Sequence, residues 1–119
     1  MMNNSLFAIT IDCADATAVA RFWADVLGRR VAEASTSDHA VLLAAGGDTT
    51  EPCIIFNKVP EAKIVKNRIH LDLISDTFEG ETERLLSLGA HRLRDQQSGK
   101  SRWTTFADIE DNEFDLIAG

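Results

Sequence analysis

Basic residues are in short supply: 12 lysines and arginines stand against 19 aspartates and glutamates in 119 residues, for a formal net charge of −7 and a pI near 4.8. Nucleic acid rewards a basic footprint, so this balance argues against it as a partner. Long apolar runs are missing as well. None reaches the roughly 18 residues a transmembrane helix needs, and the opening MMNNSLF carries neither the basic nor the apolar region of a secretory leader. The chain is therefore expected to work in the cytoplasm, away from any membrane. Cysteine is sparse: Cys13 and Cys53 form no CxxC pair and no Cys/His zinc spacing, and in that compartment two thiols stay reduced. Cys13 precedes a helix, where a thiol can be activated, although a small buried apolar group is the simpler reading. Gly46-Gly47 lacks the Lys-Ser/Thr that completes a phosphate-binding loop.

What is present is a repeat. The stretch VPEAKIVKNRIHLDLISD, residues 59–76, restarts a pattern already laid down by FAITIDCAD. In the first copy Phe7, Ile9 and Ile11 alternate with Ala8, Thr10 and Asp12; in the second, Ile69, Leu71 and Leu73 alternate with His70 and Asp72. Each strand runs through an acidic turn into an amphipathic helix that closes on Leu-Gly, at Leu27-Gly28 and at Leu88-Gly89. Internal repetition constrains the whole topology. At this length the chain fits one domain, with module one at about 5–59, a linker at 60–67 and module two at about 68–118.

Within module one, the spacing predicts a strand over 5–12 and a helix N-capped by Asp15. Val19, Phe22, Trp23, Val26 and Leu27 form that helix's apolar stripe, so the two aromatics read as core rather than a ligand box. Further strands are expected at 29–34, 39–45 and 53–59, with a polar loop opening at Gly46-Gly47-Asp48 and Pro60 ending the last strand. Within module two, strands are expected at 67–74, 90–94, 101–107 and 113–117, with a helix at 78–88 turning Phe78, Thr82, Leu85 and Leu86 inward. A polar hairpin loop is expected at 95–100.

The segments TIDCADATAVARFWADVLG, FNKVPEAKIVKNRIHLDL, ERLLSLGA and FADIEDNEFDL span nearly the whole chain. They resemble the vicinal oxygen chelate superfamily of glyoxalases, bleomycin-resistance proteins and extradiol dioxygenases, and most closely its glyoxalase-like branch. The resemblance implies an α+β fold: two tandem βαβββ modules forming a curved eight-stranded mixed sheet around a cavity, commonly in a homodimer. It also implies metal positions on the first and last strands of each module. In module two these fall on His70 and Asp115, the latter where many members carry Glu. In module one they fall on Ala8, which cannot bind metal, and near Phe56 or Asn57. Two ligands from four positions are fewer than the three or so that catalytic metals usually have, so no stoichiometric metal is expected; any that binds would use His70 and Asp115.

The residues themselves point to a polar cavity. His70 and Asp72 share a strand face, and a histidine beside a carboxylate is the pair that general acid–base chemistry needs; the same pair also serves a purely structural hydrogen bond. Candidate catalytic residues are His70 and Asp115. Thr10, Asp12, Asn57, Asp72 and Trp103 are candidate ligand contacts, Trp103 as an aromatic plate or as core. Glu113 shares the face of Asp115 but follows a turn closely and is expected to be solvated. Lys63, Lys66 and Arg68 make the one basic island, either a solvated linker or the recognition element for an anionic ligand. Two functions remain open: an enzyme of lyase, isomerase or dioxygenase type on a small metabolite, and a protein that sequesters a small molecule without turnover.

Overall fold

Residues 4–44 and 51–119 are described by a computed structural model, and they divide into two units, Met1–Ala62 and Lys63–Gly119. In the first, β1 (Ala8–Cys13) leads to α1 (Ala16–Leu27), then β2 (His39–Leu42) and β3 (Cys53–Lys58). The sheet order is β1-β3-β2, with β1 parallel and β2 antiparallel to β3. Asp15 caps α1 by accepting from the Ala18 amide at 3.2 Å, and Gly28 closes it at φ 64°, a conformation costly for any residue with a Cβ. The helix packs on β2 and β3. Its Val19, Phe22 and Trp23 are buried beside Leu42, Ile54 and Phe56, each such side chain contributing about 1.5–3 kcal/mol of burial. The Phe22 and Trp23 rings meet edge to face at 5.5 Å, so both are core. Cys13 is buried and Cys53 half-buried.

The expected strand at 29–34 is reduced to one bridge, Val31 to Leu42, flanked by Ala32 N–H to Val41 O and Leu43 N–H to Arg30 O. Two local features stop it from growing. Arg29 turns its guanidinium inward to the carbonyls of Leu43 and Pro52, at 2.7 and 2.9 Å, and the chain folds back at Ser35, whose amide donates to Ala32 O. The strand expected at 39–45 ends at Leu42, and the Gly46-Gly47-Asp48 loop lies outside the described residues.

In the second unit, β4 (Asp72–Ser75) leads to α2 (Phe78–Leu88), then β5 (His91–Ser98), β6 (Ser101–Ala107) and β7 (Glu113–Ala118). The order is β4-β7-β6-β5, with β4 parallel to β7 and the other pairs antiparallel. The described residues therefore form a three-stranded and a four-stranded sheet with two helices, an α+β fold. Phe106 and Phe114 stack at 5.6 Å in the core with Phe78, Leu85 and Leu116. Leu86, expected inward, is 38% exposed. The expected loop at 95–100 is strand except for the tight turn at Gly99-Lys100, where Gly99 has φ 59°.

Two local devices aim the strands. In β5, Arg92 pairs with Phe106 and Arg94 with Thr105, leaving Leu93 as an inserted bulge residue. In the turn before β7, the carboxylate of buried Asp108 accepts from the Glu110 and Asn112 amides at 2.8 and 3.1 Å, and Asp111 sits at φ 67°. On one face of β5 and β6, Asp95 accepts from Thr104 Oγ1 at 2.7 Å and from Arg92. The Thr104 hydroxyl first, and then Arg92, hold the Asp95 carboxyl below the usual range. A hydrogen bond from Arg102 does the same for Glu79. Among the described residues, no helix is long and apolar enough to cross a membrane.

Candidate functional site

Parallel pairing sets Asp72 of β4 directly opposite Asp115 of β7. His70, two residues earlier, brings its Nδ1 to 3.0 Å from Asp72 Oδ1 and 3.7 Å from Asp115 Oδ2. Thr105 lies opposite Asp115 on β6 and donates its hydroxyl to Asp115 Oδ1 at 2.6 Å, while receiving Gln96 Nε2 at 3.3 Å. One Asp115 oxygen is thus held by Thr105 and the other faces the imidazole. The donor atoms of His70, Asp72 and Asp115 all lie within 4.8 Å of one another.

This cluster borders a cleft of about 230 Å³. Lys66 and Arg94 give the cleft two cations, Trp103 a half-buried aromatic wall, and Gln96 and Thr105 neutral hydrogen-bonding groups. Glu113 adds a carboxylate whose side chain is only 13% exposed, because Lys63 approaches its Oε2 at 3.4 Å. That oxygen has no hydrogen-bond partner, so the contact is ionic attraction rather than a hydrogen bond. The expectation of a solvated Glu113 is corrected accordingly.

Of the residues singled out in the sequence, His70, Asp115, Trp103 and Lys66 line the cleft, and Asp72 joins the cluster. Lys63 pairs with Glu113, and Arg68 is exposed and does not line the cleft. Thr10, Asp12 and Asn57 belong to the first unit: Thr10 and Asp12 are exposed on β1, and Asn57 Oδ1 meets His39 Nδ1 at 2.6 Å. The fourth-strand counterpart of Asp115, expected near Phe56 or Asn57, is set by the ladders at Ile55. Thr10 pairs with Ile55 as Asp72 pairs with Asp115. The module-one equivalents of His70, Asp72 and Asp115 are therefore Ala8, Thr10 and Ile55, of which only Thr10 has a polar side chain. Sequence reasoning missed Arg94, Gln96 and Thr105. Thr105 was within reach, since it alternates with Trp103; Arg94 was hidden by the bulge.

A family model for the glyoxalase-like domain matches residues 8–117. The chain belongs to that family. Among solved structures, this glyoxalase-like protein is similar to the E126Q mutant of the genomically encoded fosfomycin resistance protein FosX from Listeria monocytogenes, complexed with Mn(II) and 1S,2S-dihydroxypropylphosphonic acid. The identity is 19% over 100% of this chain and 92% of that one, with a TM-score of 0.77. FosX from Mesorhizobium loti matches at 18% identity over 100% and 94% of the two chains, TM-score 0.72. A glyoxalase/bleomycin resistance protein/dioxygenase family enzyme from Burkholderia phytofirmans PsJN matches at 20% over 97% and 98%, TM-score 0.75. At these identities the likeness is one of fold. No curated protein matches in sequence.

The expected shortage of metal donors changes with this geometry. At bond lengths of roughly 2.0–2.2 Å, neighbouring ligand atoms on one ion lie ~3.0–3.6 Å apart. The separations of 3.0 and 3.7 Å from His70 Nδ1 are close to that spacing. The third donor missing at Ala8 is offered by Asp72 of the same module. One imidazole nitrogen and two carboxylates suit a hard or borderline divalent ion such as Mn(II), and the Thr105 hydroxyl supplies the outer hydrogen bond that orients such ligands.

Proposed function

We propose that this glyoxalase-like protein is an enzyme of lyase or isomerase type that acts on a compact anionic small molecule. In this reading a weakly held divalent ion sits on His70, Asp72 and Asp115. The observation that carries the reading is the convergence of three donors at one side of a cleft whose other residues include Lys66 and Arg94. The Listeria FosX structure, alike in fold, holds Mn(II) and a phosphonic acid, which supports the same pairing of ion and anion. Dioxygenase chemistry is a family-level possibility that no residue here favours over the other two. We further propose that the chain works as a homodimer in a reducing compartment such as the cytoplasm, in keeping with its sparse cysteines.

In this mechanism Arg94 and Lys66 bind the anionic group, Arg94 as a planar fork and Lys66 as a point charge. Trp103 offers a flat face to the rest of the ligand. With its Nδ1 proton donated to Asp72, His70 keeps its lone pair on Nε2, the atom from which it takes a proton from the ligand. Asp115, fixed by Thr105, sets the ring's orientation. A divalent ion held by the three donors would act as a Lewis acid on a ligand oxygen; because an imidazole that ligates through Nδ1 carries its proton on Nε2, His70 serves as the proton acceptor only when no ion is bound.

Sequestration without turnover is the second reading. The side chains of His70 and Asp72 are 42% and 51% exposed, an open setting that suits capture better than a dry reaction site. Mn(II) titration followed by electron paramagnetic resonance, combined with thermal shifts against small carboxylates and phosphonates, tests both. Saturable Mn(II) uptake lost in His70→Ala, with an anion-induced rise in melting temperature, is the expected result. Absence of both responses would sink the proposal, and recovery of the bound anion unchanged after prolonged incubation would select sequestration.

A further inference from the structure

The strand expected over 67–74 begins only at Asp72, and the reason lies in one side chain. A parallel ladder advances two residues per rung. Asp115 N–H donates to Leu71 O at 2.9 Å, so the next rung would carry Glu113 N–H to Ile69 O. Module one makes the corresponding rung with backbone alone: Cys53 N–H donates to Phe7 O at 3.2 Å, where Cys53 and Phe7 are the counterparts of Glu113 and Ile69. In module two Glu113 N–H goes instead to Asn67 Oδ1 at 2.9 Å, Asn67 Nδ2 donates to Glu113 O at 3.3 Å, and the same Nδ2 donates to Ile69 O. The carboxamide, one acceptor and two donors, stands in the ladder where a peptide group would be.

From this substitution we infer that Asn67 is the positioning residue of the site. By taking over the rung it releases residues 68–70 from the sheet while tethering them at both ends, to Glu113 and to the Leu71–Asp115 rung. Ile69 is 76% exposed, as is its module-one counterpart Phe7, so the exchange of partners alters the backbone path and not the burial at this position. His70, on the released segment, is free to bring Nδ1 toward both carboxylates, a placement that Ala8 in the unbroken ladder of module one does not share. Asn67 touches neither the cleft nor the donor atoms and acts only through where it places His70. The inference deepens the function proposed above, yet its test needs neither metal nor ligand.

The experiment is a long-range proton–nitrogen spectrum of the histidine rings at about pH 9, where imidazoles are neutral. In the wild type, His70 should show the Nδ1–H tautomer that donation to Asp72 requires. Asn67→Ala should move His70 toward the Nε2–H form. His39, whose Nδ1 pairs with Asn57, should not change and serves as the internal control. If Asn67→Ala fails to fold, Asn67→Asp, which keeps the acceptor for Glu113 N–H and lacks both donors, should show the same change at smaller amplitude. A variant that melts earlier but keeps the wild-type His70 signature would reduce Asn67 to a stabilising contact and overturn the inference. A wild type that takes up no Mn(II) would defeat the proposed metal site and leave this result standing.

Discussion

Arg29 shows what a single residue can hold. Its guanidinium, 4% exposed at the side chain, donates to Leu43 O and Pro52 O and faces Glu51 at 3.6 Å, so one group ties together two segments that flank residues 45–50. Charge-assisted bonds of this kind contribute about 1.5–3 kcal/mol each. Arg29→Ala, which removes two such bonds, should therefore cost roughly 3–6 kcal/mol in urea unfolding at constant m, and Arg29→Lys should recover little, because one ammonium cannot span two carbonyls; a lysine variant as stable as wild type would contradict the fork. Asp95 permits a prediction about acid. Its folded carboxyl lies below the ordinary range because of Thr104 and Arg92. The stabilisation is then present above the unfolded value near pH 4 and is lost as pH falls through the folded value. Melting curves of wild type and Asp95→Asn should differ at neutral pH and converge as the pH falls through the folded value of Asp95; a gap that persists in acid would mean the contact is not electrostatic. Neither role was legible in the sequence, where an arginine opening an expected strand and an aspartate in an expected loop carry no periodic signal.

Among the elements, periodicity gave most where the backbone is regular and failed where a side chain or an inserted residue breaks the ladder. The stripe of α1 and both Leu-Gly helix ends are found as expected, since 3.6-residue spacing and left-handed glycine caps are local properties. Strand β5 runs on through most of the expected loop at 95–100, whose residues DQQSGK are uniformly polar and so carry no strand signal, and Leu93 shifts its alternation. That bulge sets Arg94 opposite Thr105, in the row that also holds Asp115 and Asp72. Arg94→Ala should leave the melting temperature nearly unchanged, since the residue is exposed, while weakening binding of a small phosphonate and flattening its salt dependence. Equal salt dependence in both proteins would remove Arg94 from the ligand site. The turn before β7 depends on Asp108 in a comparable way: Asp108→Ala should cost about 1–3 kcal/mol by orphaning two amides, and Asp108→Asn, which keeps an acceptor, should cost less.

For the whole molecule, the α+β class and the family were readable because the motif runs cover the full length, whereas assembly leaves no such trace. Phe7, Ile64, Val65, Ile69 and Ile74 are each more than 70% exposed, apolar surface of the kind that association covers. Light scattering at micromolar concentration should give twice the 13.1 kDa chain mass, and a clean monomer would contradict the proposed homodimer. The two copies of the repeat also differ in what they can survive. Positions 8, 10 and 55 stand in an unbroken ladder with scarcely a polar atom among them, and so carry a requirement of shape alone. Positions 70, 72 and 115, their counterparts, carry chemistry as well, and position 67 carries the departure from symmetry that makes it possible. In a saturation library selected only for soluble folding the two sets should tolerate similar numbers of substitutions. Selected for ligand retention, the second set alone should narrow, and the narrowing should reach back to residue 67, so that a duplicated sequence drifts unevenly between its halves.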